Sequence, residues 1–132
     1  GADGVQIGSW FAASTGSSGH QLFKEEIIAA KEGATQLTLK ELAPVRLIKN
    51  AFYQQVQDAY AKGAGKAELE ALLGRGRAKK GMFLGDLENG ELEIGQISGL
   101  INNIKSTQEI VDEIISEYNV ARAELQSNQF DF

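Results

Sequence analysis

Only one stretch of this chain, Val5-Gln6-Ile7, reads as a strand bound for a sheet interior, and a lone strand cannot satisfy its own backbone hydrogen bonds. That single imbalance constrains the fold more than any other feature. The run is entered through Ala2-Asp3-Gly4 and left through Gly8-Ser9, so a strand edge gives way to a small residue and a hydroxyl. Glycine at that point lets a ligand approach backbone N–H groups, and serine adds a donor, a pairing suited to a phosphate. Other extended candidates are weak, near Leu37 and Leu92. The partners of the opening strand are therefore expected upstream of Gly1, as though the chain began inside an element of a larger protein.

The remainder is mainly helical by pattern. A polar bridge, Ser14 to Gly19, leads to an expected helix from His20 to Lys31, with Leu22, Phe23, Ile27 and Ile28 on one side. Strand, loop and helix in that order form a βα unit, which places the chain in the α/β class. Thr35 to Leu39 suits a short extended piece, and Pro44 pushes Ala43 toward extended backbone. Helices are expected from Ala51 up to Gly63, with Phe52, Val56 and Tyr60 inward, and from Lys66 to Leu73. Gly81, Gly85 and Gly90 break up the stretch from Ala78 to Glu93. Ser106 and Glu109 then make a capping box for a last helix whose apolar stripe is Ile110, Val111, Ile114, Ile115 and Tyr118.

Composition narrows the functional classes. With 132 residues, 42% of them hydrophobic, there is room for one modest core. A net charge of −5 makes the chain as a whole a poor electrostatic match for nucleic acid or an anionic membrane. Without cysteine it holds no disulfide and no thiolate metal site. No apolar run approaches the roughly 18 to 20 residues of a membrane span. The expectation is a cytoplasmic protein.

Several side chains invite functional readings that their settings do not favour. His20, the sole histidine, stands at a helix start and reads as a cap or a surface residue. Arg75, Arg77, Lys79 and Lys80 form a basic cluster better explained as a solvated helix end. Phe52, Tyr53 and Tyr60 at helical spacing read as packing rather than a stacking platform. The many carboxylates lack a histidine partner, so no metal site is expected.

Four motifs follow one another along the chain: Gly1-Ala-Asp-Gly-Val-Gln-Ile-Gly-Ser-Trp-Phe11, Ser17-Ser-Gly-His-Gln-Leu-Phe-Lys24, the segment from Leu37 to Asn50 ending Arg-Leu-Ile-Lys-Asn, and Gly90 to Ile101 with its Gly-Gln-Ile-Ser-Gly-Leu core. Taken in this order they resemble the nitronate monooxygenase (2-nitropropane dioxygenase-like) flavoprotein family. The resemblance implies the C-terminal part of an FMN-binding TIM barrel. Residues 1–34 would be its last βα unit and residues 35–132 a mainly helical C-terminal extension. A whole barrel takes roughly 250 residues. It further implies that Gly8 and Ser9 contact the FMN phosphate, that Gln6 faces the flavin, and that the substrates are an alkyl nitronate and dioxygen. Trp10 stands where the family usually carries arginine. The family's catalytic histidine would lie upstream, leaving no catalytic residue here. The alternatives are a flavin-dependent enoyl-acyl-carrier-protein reductase on the same scaffold, or an independent helical interaction module.

Overall fold

The computed structural model describes residues 3–127. Val5-Gln6-Ile7 is neither helical nor paired in a ladder, and Val5 is 81% exposed. Among the described residues no strand pairs with it. It leads directly into α1 (Ser9–Ala12), one turn long.

The segment between α1 and α2 (Gln21–Ala29) braces itself through the second motif. Ser14 Oγ donates to the Phe11 carbonyl at 2.8 Å and Ser17 Oγ donates to the Ala12 carbonyl at 2.7 Å, closing the end of α1. Lys24 Nζ reaches back to donate to the Ser17 carbonyl at 2.9 Å. His20 caps α2, its Nδ1 accepting from the Leu22 N–H at 3.2 Å. Its ring lies against Gly85, where an added Cβ would stand 2.5 Å from Nδ1. Phe23 and Ile27 turn inward, whereas Leu22, expected on the same side, is exposed.

β1 (Thr35–Thr38) and β2 (Val45–Ile48) form an antiparallel hairpin in which Thr35 faces Ile48 and Thr38 faces Val45. The strand around Leu37 is therefore real, but its partner is β2, an element that the Pro44 region concealed. Glu91 to Ile94 runs along the other side of β2. Ile48 N–H donates to the Leu92 carbonyl at 2.9 Å and Ile94 N–H to the Arg46 carbonyl at 3.2 Å. Both weak candidates thus pair with β2 and neither with the opening run. Leu39, just beyond β1, holds a left-handed backbone (φ 53°) while 1% exposed.

α3 (Ala51–Ala61) and α4 (Lys66–Leu73) pack on this hairpin through Phe52, Val56 and Leu69. Tyr53 and Tyr60 are half-buried, as packing residues should be, and Tyr60 donates to the Glu41 carboxylate at 2.5 Å. A second cluster joins Phe23 and Ile27 to Ile48, Leu92, Ile94 and Ile101.

Asn50 ties the two halves together. Its Oδ1 accepts from the Tyr53 N–H at 2.9 Å and caps α3, while Nδ2 donates to the carbonyls of Leu87 and Gly90 at 2.7 and 2.8 Å. Arg77 closes α4 by donating to the Leu72, Leu73 and Asn89 carbonyls, with its guanidinium 4.4 Å from the Phe52 ring centroid. Lys80 pairs with Asp86 at 3.0 Å. Half of the basic cluster is thereby committed to holding the fold. A π-helical turn, Lys79–Phe83, carries Gly81 against Gly90 so closely that a Cβ on Gly90 would lie 2.2 Å from Gly81 Cα.

α5 (Thr107–Leu125) begins with the expected box: Ser106 Oγ accepts from the Glu109 N–H and Glu109 Oε2 accepts from the Ser106 N–H. Its stripe is largely uncovered. Ile110 is buried, but Ile115 and Tyr118 are 53% and 63% exposed; α5 packs against α1.

Two outcomes are expected. Gly90→Ala forces backbone against backbone, and urea denaturation should show a loss of about 3 kcal/mol or more. Glu91 is 8% exposed, and burial, reinforced by Glu93, raises its carboxyl to about 6. Between the ordinary carboxyl value and 6 the folded state therefore binds a proton that the unfolded chain has lost, so stability falls as pH rises through that window. Glu91→Gln should be more stable than the parent at pH 8, by on the order of 1 kcal/mol, and lose that advantage at pH 4.

Candidate functional site

The three residues proposed to meet a cofactor share one cleft. Gln6, Gly8 and Ser9 line a concavity of about 640 Å³, together with Ile7 and Trp10 from the same segment, Ile97, Leu100 and Ile101 from across, and Glu117 of α5. Apolar walls with a few polar groups at one edge are the usual make-up of a small-molecule site.

Each polar position has a local cause. Gly8 starts α1 with φ −107° and ψ −58°, a conformation open to any residue, and a Cβ there would meet nothing within 4 Å. The fold therefore does not demand glycine at position 8. Its bareness leaves the backbone accessible from the cleft. Ser9 Oγ accepts from the Gly95 N–H at 3.1 Å, which leaves its own hydrogen to donate. Gly95 is needed for that approach, since a Cβ on it would stand 2.7 Å from Ser9 Oγ. Gln6 is exposed on the rim.

The far wall was the part that sequence reasoning missed. A 3₁₀ turn, Gln96–Leu100, follows Gly95 and presents Ile97 and Leu100 to the cleft, 52% and 73% exposed. Gln96 itself is not among the lining residues. The glycine spacing of this segment was visible, but its partner, Ser9, is 86 residues away, and no local pattern links the two.

Trp10 is half-buried and packs on the core cluster of Phe23 and Ile27. Lys105 Nζ lies 6.0 Å from its ring centroid and pairs with Glu113 of α5. His20 is occupied as a cap. Among the described residues no cluster of three or more histidine, aspartate or glutamate side chains could hold a metal ion, and no helix is long and apolar enough to cross a membrane. The arrangement can bind, through an apolar slot with a donor-bearing edge. Nothing in it pairs a base with a nucleophile.

Known proteins place this geometry. The solved structure of FabK from Thermotoga maritima is 31% identical, with a TM-score of 0.86 over 96% of this chain and 40% of that one. A point variant of the same FabK gives 30% identity and a TM-score of 0.78, covering 96% of this chain and 37% of that chain. The chain thus spans about two fifths of the length of these structures. Its fold corresponds to a fragment of their TIM barrel. A sequence profile described as nitronate monooxygenase matches residues 1–117, a span that contains all four motifs, and the chain belongs to the nitronate monooxygenase family.

Proposed function

We propose that this chain is the C-terminal part of an FMN-dependent oxidoreductase, in which residues 1–34 complete a barrel, residues 35–132 extend it, and the cleft at Gly8-Ser9 receives the flavin phosphate. The observation that carries the reading is the meeting of Gln6, Gly8 and Ser9 with the 97–101 turn in one cleft, in a member of a flavoprotein family. The hydrogen-bond donors at this edge fit the phosphate. Gly8 opens the backbone, the first-turn N–H groups of α1 have no partner inside the helix, and the Ser9 hydroxyl is aligned by Gly95 with its proton free. Such donors suit phosphate oxygens.

Bound there, FMN would supply the redox chemistry, and this chain's part would be to hold and orient it. Ser9 would donate to the phosphate, Gln6 would face the flavin, and Ile7, Trp10, Ile97 and Leu100 would keep water from the slot. The base that removes a substrate proton would come from outside this chain. On this reading the protein is cytoplasmic and oxidises an alkyl nitronate with dioxygen.

A second reading, a flavin-dependent enoyl-acyl-carrier-protein reductase, draws support from the likeness to FabK over 96% of the chain. An independent helical interaction module has less in its favour, because it leaves the Gly8-Ser9 cleft without a role. The two enzymatic readings part on substrate. Full-length protein should carry flavin absorbance and consume oxygen with an alkyl nitronate; NAD(P)H-dependent reduction of a crotonyl thioester instead would favour the reductase. Protein that neither retains nor takes up FMN would sink both. Ser9→Ala in the full-length protein should weaken FMN about ten-fold, the loss of one hydrogen bond to a charged group. Fluorescence titration measures it.

A further inference from the structure

The cleft has donors but no lysine or arginine among its lining residues, and the one charged group that lines it is the carboxylate of Glu117. A dianionic phosphate at Gly8-Ser9 would meet like charge with no formal counter-charge. Trp10, which follows directly, supplies none. Positive charge does stand beside one wall residue. Lys105 Nζ lies over the Trp10 ring, 6.0 Å from its centroid, and Trp10 is itself a wall of the cleft.

Lys105 is fixed at its backbone and not at its tip. Its carbonyl accepts from the Thr15 N–H at 2.9 Å, and the next residue, Ser106, caps α5. The ammonium pairs with Glu113, and the two side chains are 29% and 34% exposed. Glu113 lies one helical turn before Glu117, so the pair sits on the flank of α5 that continues to the cleft. The pair is partly exposed, so water and a ligand can reach it. A four-carbon stem lets its ammonium trade one anion for another without moving the main chain.

We propose that Lys105 is the counter-cation for a ligand phosphate at Gly8-Ser9, held by Glu113 and the Trp10 ring until the ligand arrives. The inference rests on the flavin-phosphate reading above, and riboflavin, which has the ring system without the phosphate, separates the two. In full-length protein stripped of flavin, quenching of flavin fluorescence gives both affinities. Lys105→Met should weaken FMN about ten-fold, the scale of a lost charge-assisted contact, and leave riboflavin unchanged. Lys105→Arg should retain most of the FMN affinity. Glu113→Gln, which frees the ammonium, should tighten FMN about two-fold.

Equal FMN affinity in Lys105→Met and the parent would overturn the role of Lys105 while leaving the flavin reading intact. So would equal weakening of FMN and riboflavin, which marks a residue that merely props α5 against α1. Should Lys105→Met fail to fold, Glu113→Gln decides: FMN affinity unchanged or lowered overturns the proposal. A parent protein that binds no FMN at all removes the flavin reading itself.

Discussion

Everything that shapes the cleft depends on how Asn50 holds the segment from Leu87 to Gly90. One amide side chain caps α3 and, through its other end, takes two carbonyls from a turn 37 and 40 residues later. That turn can lie so close only because Gly81 and Gly90 cross backbone to backbone. With the turn fixed, Glu91 to Ile94 aligns along β2, and Gly95 is delivered to Ser9. A polar clasp thus sets the wall of a binding slot that it does not itself line.

The motifs take on different characters in this light. The Ser17 to Lys24 segment, which looks like a candidate for chemistry because it holds the only histidine, is a brace between α1 and α2. The run ending at Asn50 is a clasp. The Gly8-Ser9 edge and the Gly95 to Leu100 turn face one concavity from opposite sides, and Gly8 has no packing reason to be bare.

Much of this was legible in the sequence because it is local. The span of α4, the box at Ser106 and Glu109, the cap at His20 and the inward Phe52 and Val56 follow from spacing over three or four residues. What escaped depends on distance along the chain. Val5 to Ile7 has the composition of a strand but no neighbour among the described residues, and β2 hid behind Pro44 because its strand character comes from partners on both sides. The stripe on α5 has the right period for burial, yet periodicity records a preference and not the presence of a surface to meet it. Gln6, Gly8 and Ser9 were found from one end of the cleft; Ile97, Leu100 and Glu117 come from elements that no short window joins to them.

Leu39 shows where the hairpin draws its stability. A leucine with φ 53° sits in a conformation that costs about 1 to 2 kcal/mol for a residue with a Cβ, and its side chain is almost wholly enclosed by the cluster of Leu47, Phe52, Val56 and Leu69. The bend after β1 is thus not favoured by the local chain and is held by the core to which α3 and α4 contribute. Its stability is borrowed from that core, so loosening the cluster would release the bend, whereas a hairpin with a glycine turn would keep its shape without such support.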